Sequence, residues 1–442
     1  MDATTTETPI APTLKEAFWY WLKLGFISFG GPAGQIAIMH QDLVENKRWI
    51  SEKRFLHALN YCMLLPGPEA QQLATYIGWL MHKTRGGLIA GCLFVLPSLL
   101  ILIAFSFIYM RFGQVPVVAG VLYGIKPAVV AIVLFAAYRI GSRTLKNQAL
   151  WMISIAAFLA ISVLKFPFPS IILGAALLGF LGNRYAPKFF AGGVGHKATD
   201  KHYGKAVIDD ETPTPAHAVF NLKRLVKVAV VGVAIWLAAM LSLIAYYGWD
   251  AALTRMAWFF TKAALFTFGG AYAVLPYVYQ GAVTHYAWLT PAQMMDGLAL
   301  GETTPGPLIM VVAFVGFVGG WSQHVLVEPV LAGILAACLV TFFTFLPSFI
   351  FIFLGAPFIE STKNNLKLNA PLTAITAAVV GVIASLALFF AQHVFWHDDA
   401  GIDWIAMLAA ALGFVALFKF NVSVIKLISV FAVLGLLRQW LL

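Results

Sequence analysis

The sequence predicts an all-α polytopic membrane protein made of two homologous halves that are inverted relative to each other. Hydrophobic residues make up 61% of its 442 residues and charged residues only 11%, and the mean hydropathy is +0.84. A water-soluble domain carries about 25% charged residues, so the soluble globular class is excluded. The other two observations are an internal repeat and a set of proline and glycine breaks inside the apolar segments.

The repeat is visible as landmarks that keep one spacing. Phe29-Gly30-Gly31-Pro32 matches Phe268-Gly269-Gly270-Ala271, and Pro66-Gly67-Pro68 matches Pro305-Gly306-Pro307, with 239 residues between the members of each pair. Two sparse patterns in one register exclude a compositional coincidence. After a further shift of eleven residues, the matching positions include Pro97 with Pro347 and Ser98 with Ser348.

About thirteen apolar segments are long enough to be membrane spans, which need about 20 residues. They cover roughly residues 18–39, 57–81, 87–110, 117–138, 149–164, 168–184, 226–247, 255–280, 295–319, 329–356, 371–392, 402–418 and 423–440. We therefore predict four regions: an N-terminal transmembrane repeat (1–184), a cytoplasmic linker (185–225), a connecting transmembrane helix (226–254) and a C-terminal transmembrane repeat (255–442). The two repeats contribute six broken or continuous helices each.

Basic loops predict the orientation, because Lys and Arg accumulate on the cytoplasmic side. The linker region is basic, so we place it and the N-terminus in the cytoplasm. Counting spans from the linker puts residues 40–54 outside and residues 281–291 inside, which makes the two repeats inverted. One loop disagrees with this count, since Lys47, Arg48, Lys53 and Arg54 then lie outside. Inverted repeats with interrupted helices are typical of secondary transporters.

The breaks predict an anion site. Proline removes a helical hydrogen bond, and freed backbone groups cannot face lipid, so they must be buried or line a wet cavity. Inversion would bring the four breaks together near the midplane. Helices that begin after Gly31, Pro68, Gly270 and Pro307 would direct free N–H groups and positive dipole ends at an anion. The alternative is that these breaks only shape helix packing.

The same motifs carry a family resemblance. Phe29-Gly30-Gly31-Pro32, Trp49-Ile50-Ser51, the segment from Leu65 to Leu73 and Thr304-Pro305-Gly306-Pro307 resemble the chromate ion transporter family, in its long two-domain form, over nearly the whole chain. The resemblance implies a multi-pass protein of the bacterial inner membrane that exports chromate and confers chromate resistance. With the broken inverted repeats, we predict a secondary active transporter that works by alternating access. A sulfate or other oxyanion carrier of the same fold is the alternative. A membrane enzyme is disfavoured because no catalytic cluster is evident, and broken inverted repeats favour a carrier over a channel.

The predicted substrate site combines backbone at the breaks with nearby polar side chains. Its members are Ser28, Gly30, Gly31, Asn60, Pro66, Gly67, Pro68, Gln71, Gln72, Thr267, Gly269, Gly270, Thr303, Thr304, Pro305, Gly306 and Pro307, with Lys23 and Lys262. The two lysines occupy one repeat position, and intramembrane charge is usually functional. The alternative is snorkelling to the interface, which Lys23 can do from its position near the start of a span. We expect leucine at Gly31 or Gly67 to fill space that the anion needs.

Two carboxylates are candidates for proton coupling. Glu69 follows the first Pro-Gly-Pro directly, and Glu302 lies three residues before the second. A carboxylate that takes and releases a proton links a proton gradient to anion movement. The alternative for Glu69 is an N-terminal helix cap, and Arg139 and Arg143 are interpreted as orientation anchors only.

The remaining expectations concern cofactors and partners. Cys62, Cys92 and Cys338 lie singly in apolar runs, so we predict no metal, no cofactor and no catalytic residues. The expected partners are a small inorganic oxyanion and membrane lipid. The net charge of +10 reflects basic loops and not nucleic-acid binding. The sequence leaves open a homodimer, the coupling ion and the choice between chromate and sulfate.

Overall fold

A computed structural model describes residues 9–29, 31–185, 187–190, 203–268, 270–361, 369–397 and 401–441. These residues form seventeen α-helices. The first half contains α1 (Leu14–Ile27), α2 (Gly31–His40), α3 (Glu52–Cys62), α4 (Glu69–Phe112), α5 (Pro116–Thr144), α6 (Gln148–Ser162), α7 (Phe168–Tyr185) and α8 (Pro187–Phe190). The helix α9 (Leu222–Tyr247) joins the halves. The second half contains α10 (Ala252–Leu265), α11 (Ala271–Tyr279), α12 (Pro291–Thr303), α13 (Val311–Ser322), α14 (Pro329–Ser361), α15 (Asn369–Phe395), α16 (Trp404–Lys419) and α17 (Val424–Leu441).

Shorter elements connect these helices. α2 and α11 each continue into a six-residue π-helical turn, at Gln41–Asn46 and Gln280–His285, and the two turns occupy one repeat position. A 3₁₀ turn at Leu308–Met310 precedes α13, and β1 (Trp396–His397) pairs antiparallel with β2 (Gly401–Ile402). The predicted class is confirmed at this level: the described chain is an all-helical membrane protein in two halves.

Length and apolar composition identify the helices that suit a bilayer. Within the described residues, six are long and apolar enough to cross one, and they are α4, α5, α9, α14, α15 and α17. Three shorter apolar segments lie at 148–162, 308–322 and 404–419. The helices on either side of the Gly-Gly breaks are shorter still, since α1 and α10 have 14 residues and α2 has 10. A helix of 14 residues is about 21 Å long, which is less than the roughly 30 Å hydrocarbon core.

Capping residues explain where several of these short helices begin. Thr13 forms a capping box with Glu16 at the start of α1, which satisfies two N–H groups that the helix itself cannot. Ser51 caps α3, and Thr290, at the equivalent repeat position, forms a capping box with Gln293 at the start of α12. The repeat therefore preserves local start signals as well as the breaks.

The long helix α4 is two antiparallel arms, 69–81 and 84–112. His82 and Lys83 have non-helical backbone angles, with φ of +58° at Lys83, and the chain reverses there. Glycines allow the arms to approach closely: a Cβ on Gly86 would collide with the carbonyl oxygen of Gly78. In the second half the equivalent arms are the segment 308–322 and α14, which pack against each other through Gly316.

The loop at residues 47–51 lies at the same end of the molecule as the linker. Val207 N donates a hydrogen bond to the Arg48 carbonyl at 2.9 Å, and Ile208 N donates to the Trp49 carbonyl at 3.1 Å. Ser51 N returns a bond to the Ile208 carbonyl at 3.0 Å. Backbone hydrogen bonds cannot reach across a bilayer. The expectation that residues 40–54 and the linker lie on opposite sides of the membrane is therefore wrong.

The physical reason is that each break turns the chain back. The ammonium group of Lys47 lies over the rings of Tyr20 and Trp49, at 5.7 and 5.6 Å from their centroids. The helix α1 therefore packs against the loop that follows α2 and its π-helical turn. The first arm of α4 also returns to this end, because His217 of the linker is hydrogen-bonded to the Trp79 carbonyl at 2.9 Å. Each of the segments 18–39 and 57–81 was predicted to be a single span. Each is instead a pair of short helices whose two outer ends both lie at the linker end of the molecule.

The second half repeats this arrangement at the opposite end. The ring centroids of Phe259 and Trp288 lie 5.6 Å apart, so α10 packs against the segment that follows α11. Gln280 accepts a hydrogen bond from Phe168 N at 3.2 Å, at the end of α7 that is remote from the linker. Residues 281–291 therefore lie opposite the linker, and the prediction that they share its side is also wrong. The equivalent turns at 41–46 and 280–285 thus lie at opposite ends of the molecule.

The two halves interlock through their continuous helices. α5 packs against α16 and α17, and its counterpart α15 packs in the same way against α6 and α7. One apolar core joins them, from Val129 and Ile132 of the first half to Val379 and Ile383 of the second. This shared core holds the four breaks in fixed positions.

Candidate functional site

All four breaks contain glycine in the left-handed region of backbone space. Gly31 has φ of +69°, Gly67 of +130°, Gly270 of +98° and Gly306 of +99°, which side chains rarely adopt. The predicted members Gly30 and Gly269 lie outside the described residues. The breaks interrupt the helices at the positions that the Pro and Gly motifs indicated.

Two backbone hydrogen bonds tie the breaks of one half to those of the other. Gly67 N donates to the Thr267 carbonyl at 2.7 Å, and Gly306 N donates to the Ser28 carbonyl at 2.8 Å. The two hydrogen bonds are equivalent in the internal repeat, because Gly67 corresponds to Gly306 and Ser28 to Thr267. Each Pro-Gly-Pro is therefore paired with the Gly-Gly break of the opposite half.

The paired breaks form a crossing between the two halves, and Ser98 of the second arm of α4 and Ser348 of α14 pack against it. A Cβ on Gly67 would collide with Ser348 Oγ and lie 2.5 Å from Gln72 Nε2, while a Cβ on Gly306 would lie 2.8 Å from Ser98 Cβ. Gln72 Nε2 also donates to the Pro66 carbonyl at 2.8 Å. Protein atoms, and not an open anion site, thus occupy the space beside both Pro-Gly-Pro glycines. Gly31 and Gly270 differ, since a Cβ on either would meet nothing within 4 Å.

A cavity of about 1020 Å³ reaches the breaks from the linker end. Its walls come from both halves, and its inner part is formed by the first residues of α2, α4 and α11. The lining includes Pro32, Ala33, Ile36, Ala37, His40, Phe55, Leu59, Glu69, Ala136, Arg139, Arg143, Lys146, Lys188, Gly270, Ala271, Tyr272 and Thr376. Three helix N-termini therefore meet at one solvent-accessible space, with the N–H groups and dipole ends that favour an anion.

The charged lining is mostly basic. Arg143, Lys146 and Lys188 are exposed near the linker end, whereas Arg139 is half-buried farther in. Arg139 lies within electrostatic range of Glu302. Tyr272, the second residue of α11, donates a hydrogen bond to Glu302 Oε1 at 2.5 Å. A hydrogen-bonded tyrosine and carboxylate from two helices thus lie near an arginine of a third helix, next to the cavity.

Of the predicted site residues, Glu69 and Gly270 line the cavity, and Gly31 directly precedes the lining residue Pro32. Other predicted polar groups are buried in the crossing and bond locally. Thr267 Oγ1 donates to the Ala263 carbonyl at 2.7 Å, Thr303 Oγ1 to Leu300 at 2.8 Å, Thr304 Oγ1 to Gly301 at 2.9 Å, and Gln71 Nε2 to Thr75 Oγ1 at 3.1 Å. Asn60 is half-buried in α3 and is not part of the lining.

The two lysines do not reach the cavity. Lys23 is exposed on α1, and Lys262 is half-buried with its ammonium group 5.6 Å from the centre of the Trp258 ring. Neither residue belongs to the cavity lining. The structure therefore does not bring these predicted charges together with Glu69, Gly270 or the basic residues of α5.

Sequence reasoning missed Arg139 and Tyr272 as site residues. Arg139 was assigned to orientation because it follows an apolar span, and that position alone does not reveal the half-buried side chain. Tyr272 had a weak signal: it follows Ala271, where the second copy departs from Pro32 of the first. Gln35, a buried amide four residues after Gly31, was also missed, although a polar side chain in an apolar run is itself a signal.

Comparison with known proteins identifies the family. The sequence profile described as "Chromate transporter" matches residues 15–180 and 254–436. The chain belongs to the chromate transporter family. It is therefore a membrane transporter and not an enzyme, and its two matched segments make it a long-form member.

Curated relatives of this chromate transporter family member cover most of its length. A chromate transport protein of Pseudomonas aeruginosa is 30% identical over 97% of this chain and 93% of the relative. One from Cupriavidus metallidurans is 30% identical over 86% of this chain and 83% of the relative. An uncharacterized transporter of Bacillus subtilis is 31% identical over 35% of this chain but 89% of the relative, so it has the length of one half. No solved structure matches.

Proposed function

We propose that this family member is a secondary active transporter that exports chromate across the bacterial cell membrane and so confers chromate resistance. The observation that carries the proposal is the cavity at the linker end. There the N-termini of α2, α4 and α11 converge beside Arg139, in a member of the chromate transporter family. Chromate is a tetrahedral dianion, and an arginine together with backbone N–H groups suits its oxygens.

The contacts support a membrane topology that differs from a simple count of apolar segments. Nine helices would cross the bilayer: the second arm of α4, then α5, α6, α7, α9, α14, α15, α16 and α17. The remaining short helices would form four re-entrant pairs, namely α1 with α2, α3 with the first arm of α4, α10 with α11, and the 308–322 segment with α12. The basic residues Lys47, Arg48, Lys53 and Arg54 then share the cytoplasmic side with the linker, as the positive-inside rule favours.

Single-cysteine labelling tests this topology. In a variant without Cys62, Cys92 and Cys338, we expect Lys47→Cys and Lys205→Cys to react with an impermeant maleimide only from the cytoplasmic side. Thr284→Cys should react only from outside. All three positions are exposed. Labelling of Lys47→Cys and Lys205→Cys from opposite sides would contradict the re-entrant arrangement.

Alternating access at this site needs a step that links anion movement to an energy source. Glu302 is the proposed proton carrier, because its hydrogen bond from Tyr272 and its interaction with Arg139 connect it to the cavity. A carboxylate at this position can bind and release a proton as the charge balance around Arg139 changes during transport. Glu69 lies in the lining itself and is the second candidate.

The test of function is radiochromate uptake into everted vesicles, with sulfate as competitor and with or without an imposed pH gradient. Wild-type protein should accumulate chromate in response to the gradient, and excess sulfate should reduce uptake only weakly. Glu302→Gln should retain downhill flux that no longer follows the gradient, since an amide cannot release a proton. Equal competition by sulfate would favour the broader oxyanion carrier. Absence of chromate uptake by folded protein would overturn the proposal.

A further inference from the structure

A group of polar side chains lies behind α2, on the side away from the cavity. Ser28, Gln35 and Ser98 are 0%, 1% and 0% exposed. Ser28 Oγ, Gln35 Oε1 and Ser98 Oγ have no hydrogen-bond partner among the described residues. Burying a polar atom without a hydrogen-bond partner costs roughly 1–3 kcal/mol of stability. Three such atoms around one point of the fold therefore indicate that a ligand binds there.

The three side chains surround one junction, the hydrogen bond from Gly306 N to the Ser28 carbonyl. Gln35 Nε2 donates to the Gly306 carbonyl at 2.5 Å and contacts the Ser28 carbonyl at 3.3 Å. Both of these oxygens can only accept, so the amide orientation is fixed and Oε1 must point elsewhere. Ser98 packs directly on Gly306, where a Cβ would lie 2.8 Å from Ser98 Cβ and 3.3 Å from Ser98 Oγ.

The unpartnered groups at this junction are oxygens, and the amide oxygen among them can only accept a hydrogen bond. They are two hydroxyl oxygens and one amide oxygen, and the Gln35 N–H groups are already in use. Ser28 is the C-terminal cap of α1, where the helix dipole is negative. Pro97 has no N–H for the Leu93 carbonyl, which faces Gly25 one turn before Ser28. Neutral oxygen ligands of this kind suit a hard cation, and the amide oxygen and the negative end of the α1 dipole disfavour an anion.

We propose that this junction binds one dehydrated monovalent cation, Na⁺, at a site separate from the oxyanion cavity. Neutral hydroxyl, amide and carbonyl oxygens suit a single positive charge. Unwound backbone and half-helix C-termini supply such oxygens in other transporters with broken helices.

The equivalent place in the other half lacks these free oxygens. Thr267, which corresponds to Ser28, bonds to the Ala263 carbonyl at 2.7 Å, and Val274 stands at the position of Gln35. Ser348, which corresponds to Ser98, accepts a hydrogen bond from Gln72 at 3.5 Å. The repeat therefore builds one such site per chain, and it supplies matched controls.

The site's place on α2 connects it to the transport pathway. Pro32 and Ile36 line the cavity from one face of α2, while Gln35 contacts the junction from the other. A cation at the junction would fix α2 and so influence the cavity wall. Only this coupling role rests on the proposed function, because cation binding itself is measurable without transport.

Thermal unfolding of the purified full-length protein tests the proposal, with NaCl replacing choline chloride at constant ionic strength. We expect saturable stabilisation of the wild type by Na⁺. Gln35→Val, which copies the other half, and Ser98→Ala should each weaken the apparent Na⁺ affinity by about tenfold or more, equivalent to one lost ligand. Thr267→Ala should respond as the wild type does.

Three results would overturn the proposal: a wild type without a saturable Na⁺ response, a response to K⁺ or Li⁺ in its place, or unchanged Na⁺ affinity in Ser98→Ala. Ser98→Ala removes one buried hydroxyl and decides the question if Gln35→Val fails to fold. Radiochromate uptake by the same preparations separates the two proposals. Chromate transport without Na⁺ binding leaves the proposed function intact and rejects the cation site alone.

Discussion

Gly67→Leu is expected to remove most of the folded protein from the membrane. The backbone there has φ of +130°, and holding a side chain in such a conformation costs on the order of 1–3 kcal/mol. The new side chain would also collide with Ser348 Oγ and Gln72 Nε2, and overpacking of this kind costs about 1–3 kcal/mol more. Together these costs take much of the roughly 5–15 kcal/mol that stabilises a typical fold. Gly306→Leu should behave similarly, because it meets Ser98.

Gly31→Leu is the matched control. Its φ of +69° is also left-handed, but a Cβ there meets nothing within 4 Å. We expect this variant to remain largely folded and to lose transport, since Gly31 directly precedes the cavity wall. Fluorescence-detected size-exclusion chromatography of tagged protein measures the folded yield. Equal yields for Gly67→Leu and Gly31→Leu would show that the crossing of the breaks does not stabilise the protein.

Arg139→Gln is expected to lower chromate transport by roughly a hundredfold, because truncating a partner in a desolvated charge interaction costs about 2–5 kcal/mol. Arg139 is a half-buried cation of the cavity lining and lies within electrostatic range of Glu302. Arg139→Lys keeps the charge but loses the planar guanidinium that matches two anion oxygens, so we expect an intermediate loss. Radiochromate flux in proteoliposomes measures both variants.

Arg143→Gln supplies the control for this series. Arg143 lies one turn after Arg139 on α5 but is exposed near the cavity mouth, where water and salt screen its charge. Its removal should change flux only a few-fold, and the effect should diminish at high ionic strength. Equal losses for Arg139→Gln and Arg143→Gln would indicate a general surface potential in place of a defined site.

The sequence predicted the breaks well because Pro and Gly punctuate helices by local sterics. Their repeat register also indicated that the four breaks would meet, as the bonds from Gly67 to Thr267 and from Gly306 to Ser28 illustrate. The hydropathy pattern could not predict the direction of the chain after each break. The segment 18–39 has the length of one crossing, yet it contains two half-helices that return to the same end. Only the contacts of Lys47 and of the linker reveal the reversal.

The charged site residues were harder to predict than the breaks. Intramembrane position favoured Lys23 and Lys262 over Arg139, because the lysines lie within apolar runs and the arginine lies at the end of one. Side-chain direction decides between them, and it depends on helix rotation and packing against the other half. α5 packs against α15, α16 and α17 with Arg139 in the cavity lining, and no local pattern in the sequence encodes that helix rotation.

Equilibrium binding of radiochromate to purified protein tests the central claim, that the anion binds in the cavity beside Arg139. The wild type, Arg139→Gln and Lys262→Gln should be compared at one ionic strength, with folded fractions equalised by size-exclusion chromatography. We predict that Arg139→Gln weakens binding by at least about tenfold, as expected for loss of one charged contact, and that Lys262→Gln binds as the wild type does. Wild-type affinity in Arg139→Gln, with loss of binding in Lys262→Gln, would contradict the cavity site and indicate that the lysines bind the substrate.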